Sequence, residues 1–243
     1  DDPRDGIPQF VRAVAAVAPT AFLMENVAGL ARSSNARLLQ LVLDDLRGLG
    51  YTVDHRVLHA ADYGVPQARD RLVVVGVRPG IAFQWPDATH GAGRALPHRT
   101  AGEVVESEPA GDPNPSIVTY AKAPSLRPDA YHGHLWNGGG RPIDLARPAP
   151  TLLASMGGNK TPWVDTLGIV SKYHAHLLGG GSPQSGQVPG ARRITATEAA
   201  ALQSFPAGFV FEGKRSSQYR QIGNSVPPQL ARSVAEALAA SLG

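Results

Sequence analysis

The stretch FLMENVAGL, residues 22–30, begins as an apolar run and then turns abruptly polar at Glu25. An ionised carboxylate at the dry end of a buried strand must be paired, hydrogen-bonded or protonated, because burying it alone costs more than a fold supplies. TAFLM (20–24) reads as a short buried strand. The sequence therefore predicts a strand whose end carries a carboxylate with a specific task.

Helical patterns lie on both sides of this strand. Residues 8–18 have apolar side chains at helical spacing and are followed by Pro19. Residues 33–50 predict a second helix, with Ser33 or Ser34 as its N-cap and a glycine as its terminator. The predicted apolar stripe of this second helix consists of Leu38, Leu39, Val42, Leu43 and Leu46.

Two further strands follow the second helix. Residues 51–60 alternate between polar and apolar side chains, and the run RLVVVGVR (71–78) is the β-branched pattern of a strand covered on both faces. Strand, helix, strand and strand in this order predict about half of a doubly wound α/β sheet, that is, the back half of a Rossmann-like fold.

Composition narrows the functional class. The chain has 243 residues with 42% hydrophobic content, enough for one sizeable core or for a domain with a smaller insertion. No apolar run approaches the roughly 18 to 20 residues needed to cross a bilayer, and no secretory signal pattern is present, so we expect a cytoplasmic protein. Cysteine is absent, which excludes disulfides, cysteine-ligated zinc and a cysteine nucleophile from these residues. The pI of about 9.4 favours phosphate-bearing partners weakly.

Changes in composition and periodicity along the sequence predict three segments. Residues 1–78 form part of an α/β domain, and residues 79–190 are rich in proline and glycine, as in a loop-rich insertion. Residues 191–243 return to the α/β domain, with one helix predicted over 195–205 and a longer C-terminal helix over 225–242.

Four stretches, in this order, resemble motifs of the cytosine-5 DNA methyltransferases. They are PTAFLMENVAGL (19–30), GVPQARDRLVVVGVR (64–78), RPAPTLLAS (147–155) with RRITATEAAALQSFP (192–206), and YRQIGNSVPPQLARSVAEAL (219–238). The resemblance covers the C-terminal half of that family's catalytic region. The family's glycine loop for S-adenosyl-L-methionine and its Pro-Cys loop with the nucleophile both precede these motifs and are not found in this sequence.

The resemblance gives Glu25 a role. In this family a thiolate adds to carbon 6 of cytosine, and the addition pushes electrons toward N3. A carboxylic acid hydrogen-bonded at N3 lowers that barrier if burial keeps it protonated near neutral pH. We assign this role to Glu25, with Asn26 and Val27 shaping the adjoining loop. The alternative is a glutamate that caps a helix or pairs with an arginine.

The arginines of QARDR are the next candidate catalytic residues. Arg69 and Arg71 precede a buried strand, where a guanidinium can hold a carboxylate, a base carbonyl or a phosphate. The resemblance implies that Arg71 orients Glu25 and the O2 edge of a flipped cytosine, and that Gln67 and Arg69 support the pocket or contact the DNA backbone. The cytosine must leave the stack to expose carbon 6. A solvated turn is the alternative.

The stretch QIGNSVPPQL carries two compatible interpretations. Asn224, Ser225 and Pro227 are ordinary helix-start residues, so a helix is predicted regardless of function. The same geometry offers backbone N–H groups to an anion. The resemblance implies that Asn224, Ser225 and Val226 contact S-adenosyl-L-methionine.

By the same resemblance, residues 79–190 correspond to a target-recognition domain that reads duplex DNA. We expect Arg147, Thr151 and Lys160 to support or contact the DNA. The His-x-His pairs in YHGHLW (131–136) and YHAHLL (173–178) lack acidic or cysteine partners at helpful spacing, so we predict no metal site.

Three hypotheses remain open from sequence. The chain is one subunit of a split cytosine-5 DNA methyltransferase of restriction-modification or defence type, whose partner brings the glycine loop and the cysteine. Alternatively it is a non-catalytic DNA-binding or regulatory module, or a fragment of a longer methyltransferase chain.

Overall fold

The computed structural model describes residues 6–105 and 110–243. Residues 1–5, which belong to the first predicted segment, lie outside the described part of the chain. The helices and strands, in chain order, are α1 (Gly6–Val17), β1 (Ala21–Val27), α2 (Ala36–Gly48), β2 (Thr52–His59), β3 (Gln67–Ala68), β4 (Asp70–Val77), β5 (Tyr120–Ser125), β6 (His134–Trp136), β7 (Ala149–Pro150), β8 (Trp163–Asp165), α3 (Ile169–Leu178), β9 (Ala191–Arg193), α4 (Ala196–Leu202), α5 (Arg215–Asn224) and α6 (Pro228–Leu242).

The main sheet has three strands in the order β1-β4-β2. Strand β4 is antiparallel to both of its neighbours, so β1 and β2 run parallel to each other on either side of it. A doubly wound sheet is mostly parallel, and β4 departs from that pattern. Only residues 60–69 separate β2 from β4, and a parallel connection needs a dozen or more residues, so an antiparallel pairing is the one this link permits.

Helix α2 lies where the apolar stripe predicts it, but its start differs. Leu39, Val42, Leu43 and Leu46 are buried, whereas Leu38 is 48% exposed. Ser33 and Ser34 belong to a short 3-10 turn, and Asn35 occupies the N-cap position without a side-chain capping bond. The stripe is thus one residue narrower than predicted, and the predicted serine cap is wrong.

The sheet is covered on both faces. Helices α1 and α2 pack on one face, where Phe22, Met24 and Leu72 contribute to the core. Helix α6 packs on the other face, with Leu230 and Val234 in the same cluster as the valines of β4. The continuous β-branched run 71–78 is explained by this double covering, as the sequence predicts.

The remainder of the chain forms two further cores. Within the described residues, one core combines residues of 101–105 and 143–164 with residues of 194–222. The other, whose buried members lie within 118–188, is centred on Trp136, Trp163 and Tyr173. Helices α4 and α5 therefore pack with the insertion, while α6 packs on the sheet. Ile81, Phe83 and Trp85, which follow the predicted boundary at 78/79, also pack against the sheet core. The division into three segments stays a prediction.

The C-terminal helices follow the sequence in part. Helix α4 begins with a reciprocal capping box between Thr195 and Glu198, and α6 begins at Pro228, three residues after the predicted start. Helix α5 has no counterpart among the predicted elements. No helix within the described ranges combines the length and apolar content needed to cross a bilayer.

Candidate active site

Glu25 lies near the end of β1 and faces Arg71 at the start of β4. Oε1 of Glu25 is 2.6 Å from Nε of Arg71, and the two side chains are 21% and 8% exposed. Neither of these two atoms has a hydrogen-bond partner elsewhere among the described residues. The strand register explains the meeting, since Glu25 is paired with Val73 and Arg71 with Val27, two positions along the same antiparallel ladder.

The electrostatics of this pair favour a carboxyl that can hold a proton. Burial raises the pKa of Glu25 above its ordinary value, and the nearby Arg71 guanidinium, which lowers it, offsets only part of the rise. Burial also lowers the pKa of Arg71, although the Glu25 carboxylate opposes that effect. Arg71 additionally donates to the backbone carbonyl of Asp70 at 2.9 Å, which fixes the guanidinium beside Glu25.

An open groove of about 720 Å³ lies beside Glu25. Its apolar lining includes Ile7 and Phe10 of α1, Leu23 of β1 and Leu38 of α2. Asn26 also lines the groove, and its Oδ1 accepts a hydrogen bond from the Val27 N–H at 2.8 Å. The side chain of Asn26 therefore shapes the backbone at the end of β1, and its role in the active site stays a prediction.

Arg69 is 1% exposed, and its hydrogen bonds join it to residues outside the sheet that carries Glu25. Its guanidinium donates to the backbone carbonyl oxygens of Leu152 (2.8 Å), Gly223 (2.5 Å) and Ser225 (3.1 Å). No ion pair joins Arg69 to a carboxylate in the described part of the chain. The assignment of Arg69 as a catalytic residue does not fit this placement, because a guanidinium that is enclosed by the fold and holds three backbone carbonyls cannot reach a base or a phosphate.

Gln67 is fully buried, and its Oε1 accepts from the Leu152 N–H at 3.3 Å. Thr151, on the facing segment, donates from Oγ1 to the carbonyl of Ala68 at 2.7 Å, and β3 pairs with β7 in parallel. The predicted DNA contact of Gln67 does not fit this geometry, because the amide is enclosed. These bonds fasten the QAR segment to the RPAPTLL segment.

The loop after α5 offers fewer donors than the sequence predicts. The N–H of Ser225 donates to the backbone carbonyls of Gln221 and Ile222, and its hydroxyl donates to the Ile222 carbonyl at 2.7 Å. Pro227 has no N–H. The side-chain amide of Asn224 is exposed, and the Val226 N–H has no acceptor among the described residues. Asn224 and Val226 can thus donate to an anion, whereas the predicted contact of Ser225 is restricted by its internal bonds.

The candidate DNA residues of the insertion are dispersed. Arg147 is exposed and forms ion pairs with Asp129 and Asp144, both at 3.3 Å. Lys160 is exposed at the end of a short 3-10 turn (Gly158–Lys160). Neither residue contacts Glu25. Across the described ranges, no group of three or more histidine, cysteine or acidic residues could hold a metal ion.

Sequence reasoning missed the residues that hold these segments together. Nε2 of Gln203 donates to the carbonyls of Ile222 (2.8 Å) and Ser225 (3.0 Å) and to the Ser225 hydroxyl (3.1 Å). A Cβ on Gly223 would lie 2.4 Å from the Ala154 nitrogen. A glycine inside a helical pattern is the signal that could have indicated such a close approach.

The family profile of the C-5 cytosine-specific DNA methylases matches residues 1–114 and 151–240. The chain belongs to this family. The unmatched residues 115–150 lie inside the insertion, so the family's shared sequence extends into the predicted target-recognition segment from both sides. Methylases of this family use S-adenosyl-L-methionine as the methyl donor.

Curated relatives of this C-5 methylase chain are Type II methyltransferases. It is 32% identical over 246 residues to the Type II methyltransferase M1.HphI of Haemophilus parahaemolyticus, covering 98% of this chain and 62% of the relative. It is 33% identical over 252 residues to the Type II methyltransferase M.AplI of Arthrospira platensis, covering 99% of this chain and 63% of the relative. The chain thus spans about three fifths of the length of these relatives.

Solved structures support the methyltransferase fold of this C-5 methylase chain. The S. pombe Dnmt2 methyltransferase superposes with a TM-score of 0.65 at 16% identity, covering all of this chain and 75% of that one. The Entamoeba histolytica methyltransferase EhMeth superposes with a TM-score of 0.58 at 15% identity, covering 93% of this chain and 64% of that one. The predicted α/β methyltransferase architecture is confirmed at this level.

Proposed function

We propose that this chain provides the Glu25–Arg71 half of the active site of a DNA cytosine-5 methyltransferase. The observation that carries the proposal is the buried pair itself, a carboxyl with a raised pKa held 2.6 Å from a guanidinium at the end of β1. The pair stands in a chain of the C-5 methylase family, beside an open groove of about 720 Å³.

The chemistry assigns a proton to Glu25. Addition of a thiolate to carbon 6 of cytosine breaks the 5,6 double bond and sends its electron pair through carbon 4 to N3. A protonated Glu25 donates a hydrogen bond to N3 and transfers its proton there as the charge develops, so the ring becomes an enamine whose carbon 5 is nucleophilic. Arg71 holds the carboxyl in place and stabilises the carboxylate that remains after the transfer.

The residues of the α5–α6 loop fit a cofactor that carries a carboxylate. When bound, S-adenosyl-L-methionine supplies an electrophilic methyl group for carbon 5. The exposed amide of Asn224 and the Val226 N–H are the two donors that would hold its carboxylate. Ser225 contributes to the shape of the loop through its internal bonds.

The nucleophile comes from polypeptide outside these 243 residues, because the sequence contains no cysteine. A second chain or another part of the same chain can provide it. The surface of the described chain is suited to such a complement: β1 has β4 as its one ladder partner among the described strands, and Val27 and Leu38 are 57% and 48% exposed. An open strand edge beside exposed apolar side chains favours association with further polypeptide.

Duplex DNA is the proposed substrate. The pI of about 9.4 favours a polyanion. The chain belongs to the C-5 cytosine-specific DNA methylases and is similar to Type II methyltransferases. Lys160 is an exposed cation of the insertion that can contact a phosphate directly. Arg147 would first have to release Asp129 and Asp144.

Complementation tests the proposal. A polypeptide with a glycine loop for S-adenosyl-L-methionine followed by a Pro-Cys loop is expressed with this chain, and the purified complex is assayed for methyl transfer to duplex DNA. We expect 5-methylcytosine as the product, identified by nucleoside analysis of the digested DNA. A complex that binds both DNA and the methyl donor but yields no 5-methylcytosine, or that methylates an exocyclic amine instead, would overturn the proposal.

A further inference from the structure

The buried guanidinium of Arg69 lies at the C-terminal end of α5. Two of its three acceptors are Gly223, in the last turn of that helix, and Ser225, the residue that caps it. The last carbonyls of a helix lack partners within the helix and carry the negative end of its dipole. Arg69 satisfies these carbonyls from a distant part of the chain and brings a positive charge to the end of the helix where it is stabilising.

A second anchor approaches the same loop from α4. Gln203, directly after α4, donates to Ile222 and Ser225, so the Ser225 carbonyl accepts from both Gln203 and Arg69. The neighbouring Ser204 adopts a left-handed backbone conformation with φ of 65°, and its hydroxyl accepts from the Gln229 N–H at the start of α6. The connection between α5 and α6 is therefore fixed at both of its ends.

Arg69 also sits two residues from Arg71. Arg71 faces Glu25, whereas Arg69 holds Leu152, Gly223 and Ser225. A short stretch of backbone at the start of β4 thus carries both side chains. It links the position of the α5–α6 loop to the position of Glu25. Backbone contact tightens this junction, because Gly223 packs directly on the main chain at Leu153 and Ala154.

We propose that Arg69 is a positioning residue that sets the cofactor-binding loop, Asn224–Val226, at a fixed distance from the Glu25–Arg71 pair. The identity of the ligand that the loop binds rests on the proposed function, whereas the geometry does not. Arg69 touches neither substrate nor cofactor, since it is enclosed by the fold. A lysine would keep the charge at this position but lose the planar fork that reaches three separate carbonyls.

The test compares Arg69→Met with Arg78→Met in the complemented enzyme. Arg78 is a matched control at the opposite end of β4, where its guanidinium also donates to two backbone carbonyls, those of Ala18 and Leu49. Hydrogen exchange at residues 222–226 and the affinity for S-adenosyl-L-methionine are measured for both. We expect Arg69→Met to speed exchange in this loop and to weaken the affinity about tenfold, as loss of charged hydrogen bonds would. Arg78→Met should change neither.

Steady-state kinetics separates positioning from general loss of structure. Arg69→Lys should raise the KM for S-adenosyl-L-methionine more than it lowers kcat, whereas Arg71→Lys should lower kcat with little change in that KM. Gln203→Leu should also raise the KM for S-adenosyl-L-methionine more than it lowers kcat, because it releases the same loop from the other side. If Arg69→Met does not fold, Arg69→Lys and Gln203→Leu decide the question.

Equal exchange at 222–226 and equal cofactor affinity in the Arg69 and Arg78 variants would overturn the inference. The exchange measurement is independent of turnover. If the wild-type complex fails to methylate DNA while Arg69→Met still loosens residues 222–226, the proposed function fails and the positioning of the loop by Arg69 stands.

Discussion

The substitution Gly223→Ala tests how closely α5 packs on the loop that follows β7. A Cβ at this position would lie 2.4 Å from the nitrogen of Ala154, 2.5 Å from the carbonyl carbon of Leu153 and 2.6 Å from the Cα of Ala154. Attractive contact between carbon atoms begins at about 3.5 Å, so the two backbones must separate by about 1 Å. All three contacted atoms are main-chain atoms, which no rotamer change can move aside.

Two opposing contributions decide the sign of the effect. Replacing a helical glycine by alanine gains up to about 1 kcal/mol in helix propensity. Overpacking costs about 1–3 kcal/mol, and the separation also strains the bond from Arg69 to Leu152, a charged hydrogen bond of about 1.5–3 kcal/mol. The cost exceeds the gain, so we expect Gly223→Ala to lower the free energy of unfolding by about 2–4 kcal/mol.

Gly48→Ala is the matched control. Gly48 is the last residue of α2, and a Cβ there would meet nothing within 4 Å. The same substitution at this site should raise the free energy of unfolding by about 0.5–1 kcal/mol. Urea titrations of the wild-type chain and both variants measure the difference. A Gly223→Ala chain as stable as wild type would refute the close-packed junction between α5 and residues 153–154.

Three further predictions concern covalent trapping, activity and DNA binding. The 243-residue chain alone should form no covalent adduct with duplex DNA containing 5-fluorocytosine, because it has no thiol; an adduct on a denaturing gel would contradict the proposed division of the active site. Arg71→Gln should lower the maximal rate and move the alkaline limb of the pH-rate profile to higher pH. Arg71 lowers the pKa of Glu25, so its loss keeps the carboxyl protonated to higher pH. An alkaline limb at unchanged or lower pH would count against this role. Lys160→Ala should weaken DNA binding at low salt and reduce the slope of log affinity against log salt by about 1, with Arg71→Gln leaving that slope unchanged.

Local pattern predicted much of the fold. The strand that carries Glu25, the buried face of α2 and the double covering of β4 follow from periodicity and from β-branched composition, although β1 continues to Val27. The antiparallel direction of β4 was not predicted, because β-branched runs report covering on both faces and carry no information about strand direction. Helix α5 was missed because RSSQYRQIGN has few apolar residues and depends on Tyr219 and Ile222 for its packing.

In the candidate site, too, the sequence predicted some placements and missed others. Glu25 and Arg71 were predicted together, and the structure places them in contact. Arg69 and Gln67 carry the same polar chemistry in the same motif, but the sequence could not show that they face inward to carbonyls and an N–H from residues 152–225. Which polar group is enclosed depends on tertiary contacts between segments far apart in sequence, and local spacing does not contain that information.

Glu25→Gln in the complemented enzyme is the most direct test of the central claim. Glutamine keeps the shape of the side chain and an oxygen beside Arg71, but it cannot supply a proton to N3. Methyl transfer to duplex DNA should fall about 10²- to 10⁴-fold, with DNA affinity nearly unchanged. Glu236→Gln, which alters an exposed glutamate paired with Arg232 on α6, should retain wild-type activity. Full activity of the Glu25→Gln complex, or a loss confined to DNA binding, would show that this carboxyl is structural.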